Sequence, residues 1–121
     1  MKRVYIVHGW DGSPEGAWIP WLARELSTRG MVVATPAMPR PGEPSIEAWV
    51  RHLASFIRRP DRDTYFVGHS FGAQTIMRYF ETVDTTAGGT LFIAGWFTLL
   101  PAAFEDEADR VIAEPDRKSV V

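Results

Sequence analysis

The chain alternates short, almost unbroken apolar runs with longer stretches whose apolar residues recur every three or four positions. The first pattern predicts strands covered on both faces, and the second predicts amphipathic helices. Residues 2–7, 31–34, 64–67 and 90–94 read as strands. Trp18, Ile19, Leu22 and Leu26 mark a first helix, with Gly30 placed to stop it. Ser45 is a candidate N-cap, with Glu47 in the first turn. Ile46, Trp49, Val50, Leu53, Phe56 and Ile57 then form one apolar stripe that Pro60 ends. Residues 73–82 predict a third helix, and 101–113 an acidic helical segment. Residues 117–121 look like the start of a fifth strand.

Two connections stand out. Residues 8–16 form a glycine-rich loop after the first strand. Residues 35–44 contain Pro36, Pro39, Pro41 and Pro44, so this stretch must be irregular. No repeat, low-complexity tract or linker interrupts the chain, and residues 1–121 read as one domain. Strands alternating with helices pair in parallel through right-handed crossovers. The expected fold is α/β: a doubly wound, mostly parallel sheet in a three-layer α/β/α sandwich. Ligands of such sheets sit at the carboxyl ends of the strands. His8, Ser70 and Gly95-Trp96 all fall at those ends, so three loops are expected to converge on one crevice.

Gly68-His69-Ser70-Phe71-Gly72 lies between a predicted strand and a predicted helix. A G-x-S-x-G in that setting is the nucleophile elbow of an α/β-hydrolase. The turn is tight, so Gly68 and Gly72 avoid collisions and Ser70 is held exposed. The helix start leaves N–H groups and a positive dipole end beside it. The N–H of Phe71 is one expected oxyanion donor, and the N–H of Trp10 from the first loop is the second. A serine hydroxyl still needs a base. His69 is expected to pack behind the elbow, because adjacent residues on a tight turn diverge. His8 is expected to shape the oxyanion loop, with a direct proton or substrate role as the alternative. His52 reads as a solvated surface residue. No histidine follows Ser70.

The residues resemble those of a known family, the small single-domain α/β-hydrolases of the YdeN and retinoblastoma-binding-protein-nine type. The likeness is carried by Val7-His8-Gly9-Trp10, Trp18-Ile19-Pro20-Trp21-Leu22, Ala37-Met38-Pro39-Arg40-Pro41, Glu47-Ala48-Trp49, the elbow, and Ala94-Gly95-Trp96-Phe97. The resemblance implies a serine hydrolase with a triad in the order Ser, Asp, His, and Ser70 takes the nucleophile position. It places the Asp after a fifth strand and the His near the C-terminus. Both are therefore expected beyond residue 121, and the chain is expected to be the N-terminal two-thirds of the fold, incomplete at its C-terminus.

Composition narrows the picture further. Net charge is −2, so there is no electrostatic case for nucleic acid or an anionic membrane. With no cysteine, disulfides, thiolate metal sites and cysteine nucleophiles are all excluded. Three scattered histidines make no metal set, and no phosphate-binding glycine motif is present, so neither metal nor cofactor is expected. The first apolar run is too short for a signal-peptide core or a membrane span, and a cytoplasmic location is expected. Of the five tryptophans, Trp18, Trp21 and Trp49 read as core filling. Trp10, Trp96 and Phe97 are expected to line an apolar substrate pocket for an acyl or ester compound. Three functional readings follow. The first is an esterase-like hydrolase acting through an acyl-enzyme on Ser70. The second is a catalytically inactive binding module, with a half-formed fifth strand leaving an edge that joins a homo-oligomer. The third is a weak esterase using Ser70, the oxyanion donors and His8.

Overall fold

The computed structural model describes residues 1–93. Four strands, β1 (Arg3–Val7), β2 (Val32–Ala34), β3 (Thr64–His69) and β4 (Gly89–Ile93), alternate with helices α1 (Ile19–Thr28), α2 (Ile46–Ala54) and α3 (Phe71–Phe80). All the strand pairs are parallel, in the order β2-β1-β3-β4. From β1 the chain crosses over to β2 on one side, and from β3 it crosses to β4 on the other. The connections therefore diverge between β1 and β3, which makes that point the topological switch where such sheets place their ligands.

Alternation along the strands divides the core in two. Tyr5 and Val7 of β1 and Phe66 of β3 face Trp49, Leu53, Ile76 and Tyr79 of α2 and α3. Val4, Ile6 and Val67 face Ile19 of α1, with Leu22 and Leu26 packed around them. The sheet thus carries α1 on one face and α2 with α3 on the other, the three layers expected. Trp49 and Leu53 are wholly buried, and burial of a large apolar side chain contributes about 1.5–3 kcal/mol each.

The helix ends follow local chemistry. Gly30 adopts φ +88°, which releases the chain from α1. The N–H groups of Gly30 and Met31 return to the carbonyls of Ser27 and Leu26 at 3.0 and 3.2 Å, a Schellman ending. Ser45 caps α2, its Oγ accepting from Ala48 N–H at 3.3 Å.

Four expectations are corrected here. Helix α2 ends at Ala54 and does not run on to Pro60. Ser55, Phe56 and Ile57 instead donate three residues back, to His52, Leu53 and Ala54. That tighter winding turns Ile57 into the core, 8% exposed, and swings Phe56 outward, 46% exposed. Trp21 is 57% exposed and does not fill the core, because buried Ile19 and partly buried Leu22 and Leu26 already form the stripe of α1 that packs on the sheet. Trp18 stands at the N-cap of α1 and not within it. The third helix starts two residues earlier than its apolar pattern suggests, directly after Ser70.

Candidate active site

Ser70 joins β3 to α3 with φ +58° and ψ −117°, a conformation that side chains rarely adopt. The elbow is built from close approaches. A Cβ on Gly68 would lie 2.7 Å from Cα of Ala73, so α3 rests directly on the end of β3. A Cβ on Gly72 would strike the carbonyl oxygens of Val7 and His8, so the first turn of α3 rests on the end of β1. A Cβ on Gly9 would lie 2.8 Å from the carbonyl oxygen of His69 and 3.0 Å from Cβ of Ser70. The loop after β1 and the elbow after β3 therefore touch backbone to backbone at the switch point. Ser70 is half-buried there, and the first N–H groups of α3 have no acceptor within the helix.

The rings reinforce this arrangement. Trp10 meets Phe71 edge to face at 5.6 Å, and Phe71 meets Trp49 in the same way at 4.9 Å. The two residues expected to supply oxyanion donors, Trp10 and Phe71, are thus in contact beside Ser70. His69 points to the other face of the sheet, where its ring meets Trp18 at 5.7 Å.

The family model described as "Serine hydrolase" matches residues 4–115. The chain belongs to the serine hydrolase family. A Bacillus subtilis (strain 168) relative, "Putative hydrolase YdeN", is 33% identical over 102 residues, which cover 83% of this chain and 54% of the relative. The crystal structure of the ydeN gene product from B. subtilis superposes with a TM-score of 0.79 at 32% identity, over 85% of this chain and 56% of that one. An extracellular α/β-hydrolase from a Paenibacillus species shares the fold, with a TM-score of 0.69 at 17% identity over 96% of this chain and 53% of that one. The fold is that of the α/β-hydrolases. The chain spans about half the length of the relatives it matches.

Within this serine hydrolase fold His8 is 2% exposed, and both of its ring nitrogens are engaged. Nδ1 lies 2.9 Å from the carbonyl oxygen of Gly9, and Nε2 accepts the N–H of Met38 at 3.0 Å. His8 therefore has no lone pair left for the Ser70 proton. Burial holds its pKa below the ordinary 6.5, against the Gly9 hydrogen bond and the Glu15 charge, which raise it. His69 is lowered as well, first by burial and then by the charge of His8.

The proline-rich stretch is held from outside, since prolines offer carbonyls but no N–H. The indole N–H of Trp49 donates to the Pro39 carbonyl at 2.7 Å, and Asp11 N–H donates to that of Pro41 at 2.7 Å. Together with the Met38 to His8 bond, these tie residues 38–41 to α2 and to the loop after β1. Sequence reasoning assigned Trp49 to the core but missed this polar role. Its only sign was a tryptophan paired with a proline-rich loop that cannot satisfy its own carbonyls. Trp49→Phe keeps most of the ring packing and orphans the Pro39 carbonyl, which should cost about 1–3 kcal/mol. Denaturant unfolding of the two proteins checks this, and equal midpoints would count against the tie.

Trp96 and Phe97, the predicted pocket residues, lie outside the described residues, as does the segment 101–121. A groove of about 660 Å³ opens on the α1 face, lined by Lys2, Val4, Leu26, Tyr65, Val67 and Leu91. It also reaches Gly88 and Gly89, at the amino end of β4, so it sits at the wrong end of the sheet for Ser70. Among the described residues no cluster of His, Asp and Glu is arranged to hold a metal, and no helix is long and apolar enough to cross a membrane.

The two histidines set an acid limit. As the pH falls through 6.5, the unfolded chain takes up protons that the lowered imidazoles of the fold resist. The unfolded state then binds more protons, so stability drops as the pH falls below about 6.5. Denaturant midpoints at pH 7.5 and 5.5 should differ in that direction, and His69→Asn should shrink the difference. A midpoint independent of pH across this window would contradict it.

Proposed function

We propose that this chain carries the nucleophile and the oxyanion site of a serine hydrolase acting on esters or related acyl compounds. The observation that carries the reading is Ser70 at positive φ on the β3 to α3 turn, with the Gly9 backbone against it. A strained serine at a topological switch point is costly for a fold and useful to an acyl transferase. Ser70 Oγ attacks the acyl carbonyl as its proton passes to a base, giving a tetrahedral oxyanion. The N–H groups of Phe71 and Trp10 receive that negative charge, and donors of this kind contribute roughly 3 kcal/mol each to lowering the barrier. The C–O bond to the alcohol then breaks, and the alcohol leaves with the proton. Water hydrolyses the acyl-serine by the reverse sequence.

His8 is committed elsewhere and His69 faces α1. The resemblance to serine hydrolases with a Ser, Asp, His triad is what supports a His with an Asp partner, expected beyond residue 121, as the base. Trp10 and Phe71 border Ser70 with apolar rings, which supports an apolar acyl portion. The test uses the full-length natural protein with a fluorophosphonate probe and a p-nitrophenyl ester. Ser70 should be labelled and turnover observed, and Ser70→Ala should lose both. Labelling that survives in Ser70→Ala would overturn the assignment.

A further inference from the structure

The proposed oxyanion loop carries its donor on the peptide joining Gly9 to Trp10. No peptide bond among the described residues is cis, so the Gly9 carbonyl and the Trp10 N–H point to opposite sides of one rigid plane. Whatever grips that carbonyl aims that N–H. Two donors grip it. Gly12 N–H, at 3.0 Å, closes the local turn. His8 Nδ1, at 2.9 Å, is the other, and its ring is itself held from the far side. There Nε2 accepts the N–H of Met38 at 3.0 Å. An acceptor at Nε2 requires the neutral tautomer with its hydrogen on Nδ1, so Met38 leaves His8 able to act only as a donor toward Gly9. The Trp49 ring, 5.2 Å away and nearly perpendicular, fixes the imidazole plane.

We infer that His8 is the positioning residue of the oxyanion site: its Nδ1–H on the Gly9 carbonyl aims the Trp10 N–H toward Ser70, and the Met38 N–H on Nε2 locks the tautomer that does so. The inference rests on the reading of Trp10 N–H as an oxyanion donor. It makes the proline-rich loop part of the device. Trp49 holds Pro39, Met38 holds His8, His8 holds Gly9, and the Gly9 peptide carries the donor. Among the described residues, the charged and titratable groups acting on this imidazole are Glu15 of its own loop and His69 of the elbow. From α2 it meets only the Trp49 ring, and from the proline-rich loop the Met38 amide. A proton on Nε2 would set donor against donor at Met38 and release the clamp.

Three variants of the full-length protein separate the two ends of the ring. His8→Asn supplies an amide N–H near the Nδ1 position, His8→Gln a carbonyl near the Nε2 position, and His8→Leu neither. The direction of the Trp10 N–H is read from its residual dipolar coupling, and Ser70 acylation from the initial burst of p-nitrophenol released from a p-nitrophenyl ester. His8→Asn should keep the Trp10 coupling and acylate within about threefold of the natural protein. His8→Gln and His8→Leu should shift the coupling and slow acylation by roughly tenfold to a hundredfold, less than the complete loss of a donor. A Trp10 coupling unchanged in His8→Leu would overturn the inference, as would Asn and Leu variants slowed alike. Should the variants fail to fold, long-range proton–nitrogen spectra of the natural protein still decide. A His8 ring with its proton on Nε2 at pH 7 would end the inference. If the natural protein acylates with no probe, the hydrolase reading fails while the Trp10 coupling still judges His8.

Discussion

Ser70→Gly is expected to abolish acylation and at the same time to make the fold more stable. The reason lies in the backbone. Ser70 sits at φ +58°, ψ −117°, where a side chain crowds the neighbouring peptides. Such a conformation costs of order 1–3 kcal/mol, and glycine adopts it without that cost. Glycine also gives the unfolded chain more freedom, worth about 0.4–1 kcal/mol in the opposite direction. A net gain of about 1 kcal/mol remains. Ser70→Ala removes the same hydroxyl but keeps the crowded Cβ, so its stability should stay within about 0.5 kcal/mol of the natural chain. Both variants should lose at least about a thousandfold in acylation rate, as expected when a nucleophile is deleted. Denaturant unfolding of the three proteins side by side separates the two effects. If Gly and Ala variants unfold at the same midpoint, the elbow stores no strain at Ser70.

Much of this site could be read from the order of residues because it depends on local rules. The unbroken apolar run before His8 could only be a strand buried on both faces. Its alternation of Val4 and Ile6 against Tyr5 and Val7 is what the two halves of the core use. The glycines flanking Ser70 announced a turn too tight for side chains, and the close approaches of Gly68 and Gly72 are that turn. What could not be read depends on pairs distant in the chain. Met38 reaches His8 across thirty positions, and Trp49 reaches Pro39 across ten. Neither bond leaves a periodic trace. Phe56 and Trp21 misled for a related reason. Phe56 is expected in the core by its helical spacing and Trp21 as a large aromatic, but the winding after Ala54 and the other apolar residues of α1 decide which side chain is buried.

Gly72→Ala should damage both the fold and the site through a single added methyl. The added Cβ would meet the backbone carbonyls of Val7 and His8, which cannot rotate away as a side chain would. Relief requires α3 to lift from β1, and that separates the elbow from the loop carrying Gly9 and Trp10. Overpacking of this kind costs about 1–3 kcal/mol, and rigid backbone on both sides places this case at or above the upper end. Two other glycines isolate the cause. Gly30 has open space around its Cβ position but φ +88°, so Gly30→Ala should lose only about 1 kcal/mol, from conformation alone. Gly16 has a negative φ and no neighbour nearer than 3.5 Å, so Gly16→Ala should stay within about 0.5 kcal/mol of the natural chain. The loss of acylation should follow Gly72→Ala alone, since neither Gly30 nor Gly16 touches the join between β1 and the elbow. A Gly72→Ala protein that unfolds at the natural midpoint and acylates at the natural rate would mean that α3 does not rest on β1. The oxyanion loop would then have to be held by something other than the contacts described.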